Sequence, residues 1–227
     1  MEIRRRVLFS IIIITFFTGL PVFLSGQTDQ ESEAPQYLFR NFTESKVLMK
    51  SGKVQNAILN YNTITGTMVY IERNDYYDMT NSEIVDTVFI QGSKFIPVKG
   101  AFYEVLTKGN MPLYRQVKSD LKPVGKEAGY GSKSQTSATT SFSSYSSSTG
   151  PNYNLKIPSD YEIETTVIYW LNKSVSFTTE RQFLKLFPEK ADDIKSYIKK
   201  NRLKFENKED VIEIVKQCSD LYKTEKP

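Results

Sequence analysis

Histidine is missing from this sequence altogether, and cysteine occurs once, as Cys218. Without an imidazole there is no Ser-His-Asp or Cys-His nucleophile system and no histidine-ligated metal. With one thiol there is no intrachain disulfide and no multi-cysteine zinc or iron–sulfur centre. A strong charge of one sign is lacking too: 30 Lys and Arg stand against 26 Asp and Glu, a formal net charge of +4. Residues 1–26 take Arg4, Arg5, Arg6 and Glu2 out of those totals, leaving 27 basic and 25 acidic residues and a net charge of only +2. That field is too weak to point to nucleic acid. No Gly-rich phosphate loop, dinucleotide fingerprint or kinase signature occurs, so no cofactor is expected.

What is present begins with an export pattern. Three arginines precede Val7 to Phe17, a run broken only by Ser10 and Thr15, and Thr18, Gly19 and Pro21 follow. A basic start, a short apolar stretch and a small-residue exit make a secretory signal, with cleavage expected after Gly26. The same polar interruptions make Val7–Leu24 a poor membrane-spanning helix. An exported chain without disulfides fits a bacterial envelope, so a periplasmic or cell-surface location is expected.

The aromatic fraction of 13%, with 14 Tyr and 14 Phe, suits the half-buried surface of a β-sheet. After a polar N-terminal segment, 27–44, residues 45–124 read as a β-rich domain. Val47–Lys50 and Val54–Asn62 form a hairpin across Ser51-Gly52, Thr67–Glu72 follows Gly66, and Arg73-Asn74-Asp75 makes the next turn. Val85–Ile90, Lys94–Val98, Phe102–Thr107 and Leu113–Lys118 continue the series, with Pro97 expected at a strand end or edge. Strands at this spacing predict an antiparallel meander, either an open sheet or a partial barrel. Nine serines in Ser132–Ser148 make 125–152 a linker or loop. Residues 153–178 add strands at Tyr153–Ile157, Thr165–Leu171 and Val175–Phe177 that complete the sheet.

Residues 179–222 read as a three-helix module. Thr179 and Gln182 have capping-box spacing, Pro188 opens a second helix, and Asn207 caps a third carrying Val211, Ile214, Val215, Cys218 and Leu221 on one side. The fold class is therefore α+β: an antiparallel β-meander followed by helices.

Candidate sites are few. Cys218 lies among apolar neighbours and reads as a core residue. Carboxylates are the remaining acid–base groups: Glu162 and Glu164 flank a strand, and Asp75, Asp78, Glu83 and Asp86 cluster around a loop. A pair of these held about 5–10 Å apart in a cleft could hydrolyse an envelope glycan. Aromatic hairpins around Tyr76, Tyr77, Phe102, Tyr103 and Tyr114, and the basic helix with Lys195, Lys199, Lys200 and Arg202, are candidate partner-binding surfaces.

Tyr37–Phe42, the hairpin Val47–Asn62, Val85–Ile90, the Ser/Thr-rich centre and Glu180–Pro188, in that order, resemble uncharacterised small exported proteins of Bacteroidetes-type bacteria. The resemblance runs from about Tyr37 to Leu221. It implies export and this architecture, and it assigns no activity and no residue role. The expected function is a non-enzymatic binding or accessory protein of the cell envelope, with an envelope protein or glycan as partner and no nucleic acid. Two alternatives stay open: a carboxylate-dependent hydrolase of envelope glycans, and a lipid or small-ligand carrier with an apolar cavity of roughly 300 Å3 or more.

Overall fold

The computed structural model describes residues 35–124, 126–128, 132–134, 157 and 161–223. The expected signal segment and the expected Tyr153–Ile157 strand lie outside the described residues, apart from Ile157, which is not in a strand.

Ten strands form one open antiparallel sheet: β1 (Thr43–Met49), β2 (Val54–Asn62), β3 (Thr67–Glu72), β4 (Asp75–Asp78), β5 (Val85–Ile90), β6 (Ser93–Val98), β7 (Ala101–Val105), β8 (Leu113–Pro123), β11 (Tyr161–Leu171) and β12 (Val175–Phe177). Two short strands between them, β9 (Lys126–Ala128) and β10 (Ser132–Ser134), pair separately within the expected linker. The chain is thus largely β, and α+β describes it only roughly. The order is β12-β11-β8-β7-β6-β5-β1-β2-β3-β4. One continuous meander is therefore not what forms. β1 to β4 grow outward in one direction, the chain crosses back through Met79–Ile84, and β5 onward grows in the other direction from the far side of β1.

The local reasons for these strands match the sequence. Arg73 and Asn74 take φ of 51° and 69°, the left-handed pair that a tight two-residue hairpin needs, so Asp75 already belongs to β4. The cluster Asp75–Asp78 is thus a strand and not a loop. Pro97 is tolerated inside β6 because pairing with β5 ends at Phe95, leaving no ladder bond on that side to lose. Alternation in β5 breaks because Asp86 is an extra residue: Leu48 faces Thr87 while Met49 faces Val85.

The sheet curls strongly. β2 and β8 are five ladder steps apart, which is about 24 Å in a flat sheet. Yet the Ser119 N–H donates to the Thr63 carbonyl at 2.8 Å and the Tyr61 hydroxyl to the Val117 carbonyl at 3.1 Å. Gly66 makes the closure possible. It has φ of +74°, and a Cβ there would lie 3.2 Å from that of Ala101.

One row of directly opposed residues crosses the concave face: Val47, Val88, Phe95, Glu104, Arg115, Tyr169 and Phe177. Its two ends belong to different apolar clusters. Leu59, Tyr61, Met68, Phe95 and Phe102 form one inside the curl, with Tyr61 stacked on Phe95 at 5.5 Å. The other joins Leu113, Tyr169, Leu171 and Phe177 to the helices α1 (Glu180–Lys185), α2 (Ala191–Asn201) and α3 (Lys208–Lys223). Between them lies a buried polar seam. Glu104 takes an ion pair from Arg115 at 2.6 Å, a hydrogen bond from the Ser93 hydroxyl at 2.8 Å and one from the Lys208 ammonium at 3.4 Å.

The helix ends follow the sequence closely. The Gln182 N–H donates to the Thr179 hydroxyl, while the Gln182 side-chain oxygen accepts from the Thr178 N–H, one residue further back than a capping box requires. Pro188 opens a 3-10 turn leading into α2, whose last turn closes on Arg202 in the left-handed region. Asn207 accepts from the N–H groups of Glu209 and Asp210 at the start of α3.

Of the expected polar segment 27–44, the described part begins at Pro35 and packs on the sheet. Asn60, fully buried, accepts from the Phe39 N–H and donates to the Phe39 carbonyl at 2.7 Å, pinning the segment across the end of the curl. Among the described residues no helix is long and apolar enough to cross a membrane.

Candidate functional site

The return connection from β4 to β5 creates a cleft. Six residues, Met79–Ile84, must carry the chain from one edge of the curved sheet to the far side of β1, so they run as a chord rather than along the surface. The Met79 N–H is held by the Met68 carbonyl, and the Ile84 carbonyl by the Lys50 N–H. A chord over a concave surface leaves a gap, and here its volume is about 620 Å3.

Strand alternation decides the lining. Val47, Met49, Ala57 and Tyr70 come from the inner positions of β1, β2 and β3, and Val85 from the start of β5. Met79 and Ile84 face them from the connection, and Gln55, Thr80 and Asn81 supply uncharged polar groups. Ile84 is 51% exposed, so the rim is itself apolar. Asp78 also borders the cleft, but it opposes Val69 on the outer face and its carboxyl is hydrogen-bonded to Thr67. Burial holds that carboxyl above the usual aspartate range, with the Thr67 and Met79 hydrogen bonds opposing the shift. Asp78 at the border is the one ionisable carboxyl among the lining residues, and the positions taken from β1, β2 and β5 carry no charge.

The residues expected to form a partner surface are dispersed. Tyr76 and Tyr77 are adjacent on β4 and so point to opposite faces. Tyr76 meets Phe42 edge-on at 5.4 Å, and Tyr77 stacks on Tyr70 at 5.4 Å, beside the cleft. Phe102 has no exposed surface and belongs to the core, which removes it from any partner surface. Tyr103 is 6% exposed because Trp170 leans over the intervening strand and stacks on it at 5.3 Å. Tyr114 is half-buried beneath the Lys173 ammonium, 5.3 Å from its ring centre. The four basic residues Lys195, Lys199, Lys200 and Arg202 all remain exposed along α2 and its end. They stand opposite the buried Ile194 and Ile198, as an amphipathic helix requires.

The carboxylates are equally spread. Asp86 accepts from the Thr87 hydroxyl at the bulge, Glu164 pairs with Lys122 on the exposed β8–β11 ribbon, and Glu83 sits in the 3-10 turn of the connection. Cys218 is buried in the helical cluster, and burial pushes its thiol up to about 12, far from thiolate chemistry.

Sequence reasoning passed over Glu104, Arg115 and Lys208, the buried ionic cluster. The signal was there: in Phe102-Tyr103-Glu104, alternation sends Glu104 to the same side as Phe102. Compared with protein-family models, with curated proteins and with solved structures, the chain matches none.

Proposed function

We propose that the chain is an exported, non-enzymatic binding protein of the bacterial cell envelope that holds an uncharged, largely apolar small ligand in the crossover cleft. The observation supporting this reading is the cleft itself: about 620 Å3, apolar-floored and open to solvent. That volume lies in the range of small-ligand sites, which span roughly 300–1,000 Å3. Met49 and Met79 contribute flexible thioethers that conform to irregular apolar shapes. With no Lys or Arg among the lining residues, an anionic ligand would lose its hydration without compensation there. Gln55, Thr80 and Asn81 at the cleft suit a neutral hydrogen-bonding head group.

The neutral dye N-phenyl-1-naphthylamine tests this. Its fluorescence is expected to rise on mixing with the protein and to saturate. Ala57→Phe, which fills the cleft from β2, is expected to weaken binding by about tenfold, the loss of roughly 1.4 kcal/mol of contact. Ile84→Asp changes only an exposed rim residue and is expected to act in the same direction without affecting the fold. Saturable dye binding that neither substitution alters would overturn the reading, as would no binding at all.

Export rests on residues 1–26 and has its own test. The intact mass of protein recovered from an expressing bacterium's envelope is expected to correspond to a chain beginning at Gln27. A full-length chain recovered from the cytoplasm would remove the envelope from the proposal.

A further inference from the structure

A second cavity, of about 570 Å3, lies between the inner side of β11 and the helical module. One bank is Thr165, Val167 and Tyr169 on β11. The other is the start of α1 and the loop joining α2 to α3. Glu180, Lys204 and Glu206 place three charged groups around it, and Val167 and Phe205 place apolar surface beside them. Among the described residues, none of those three charged side chains takes part in a hydrogen bond or ion pair. Their neighbours do: Asp210 accepts from the Lys204 backbone N–H, and Glu213 accepts from the Tyr197 hydroxyl.

We propose that this groove binds a neutral oligosaccharide. Two carboxylates with free acceptor positions match the vicinal hydroxyls of a pyranose ring, each carboxylate oxygen taking a hydroxyl in a charge-assisted hydrogen bond. The ammonium of Lys204 offers donors to ring and hydroxyl oxygens. Val167, 37% exposed, and the half-buried Phe205 meet the apolar C–H side of a sugar. Two carboxylates against one ammonium leave the groove slightly negative, which turns away acidic polymers. The volume accommodates a few sugar units, and the hydroxyls of Thr165 and Thr178 extend the polar lining. The proposal concerns recognition, with no bond broken. It goes beyond the crossover cleft and stands whether or not that cleft binds a ligand.

The test is a titration of the isotope-labelled mature chain with cellotetraose, maltotetraose and tri-N-acetylchitotriose, followed by amide chemical shifts. At least one is expected to shift the amides of Val167 and of residues 203–206 in a saturable way below about 10 mM sugar. Replacing both acids, Glu180→Gln with Glu206→Gln, is expected to weaken that binding by about tenfold, as neutral amides replace charged acceptors. Dye binding in the crossover cleft is expected to be unchanged in the same variant, so the two sites succeed or fail separately. No saturable shift with any of the three sugars would overturn the proposal. So would shifts located elsewhere, or binding indifferent to the double substitution.

Discussion

Replacing Glu104 with alanine is expected to destabilise the protein by about 3–5 kcal/mol, the cost of removing one partner from a buried ion pair. The side chain is 5% exposed and stands between two cationic groups on the concave face. Arg115, 19% exposed, would keep its charge without its carboxylate partner, and the Ser93 hydroxyl would lose its acceptor. Lys208 is 31% exposed and reaches water more easily, so Lys208→Ala is expected to cost only about 1 kcal/mol. Urea unfolding followed through the fluorescence of Trp170, the single tryptophan, reads both. The double variant Glu104→Leu with Arg115→Leu completes the argument: with both charges gone together, most of the loss is expected to be recovered. A cost below about 1 kcal/mol for Glu104→Ala would mean that solvent reaches the seam and screens it.

The position of that seam gives it consequence. Lys208 is the first residue of α3, and Glu104 lies on β7, so the contact ties the helical module to the middle of the sheet. On either side the concave face is apolar, but the two clusters differ in what covers them. The β5–β6 side is closed by the curl of the sheet itself, while the β11–β12 side is closed by helices. A pair of opposite charges facing across β7 and β8 marks the boundary between these two ways of burying one sheet face.

Local features were legible from residue chemistry, and long-range ones were not. The hairpin over Gly52, the strands Thr67–Glu72 and Val85–Ile90, and the caps Thr179 and Asn207 rest on turn geometry and hydrogen bonds within a few residues. Each was readable for that reason. The insertion of β1 between β2 and β5 was not, because nothing in Met79–Ile84 distinguishes a turn to the next strand from a chord over the sheet. The cleft follows from that chord, so it was hidden with it. Asp75 reads as part of a turn and Asp78 as an acid beside a loop, whereas both belong to a short edge strand that tolerates charge at both ends. Phe102 and Tyr76 show the limit of reading aromatics as surface: one ring serves the core and the other a covered outer face.

Phe183→Ala is expected to cost about 3–5 kcal/mol and to do so unevenly. The ring has no exposed surface and touches Phe177, Phe187 and Phe205 at centroid distances of 4.8, 5.0 and 5.8 Å. It therefore joins α1 to β12, to the segment before Pro188 and to the loop leading into α3. The curl of the sheet buries its own cluster without using any of these residues. Hydrogen exchange on the variant is expected to show faster exchange in α1, α2, α3 and β12, with β1, β2 and β5 still protected. Phe183→Leu keeps much of the buried volume and is expected to lose less than half as much stability. If protection instead falls equally in β2 and α2, the two clusters unfold as one cooperative unit, and the ionic seam between them divides the core in space but not in energy.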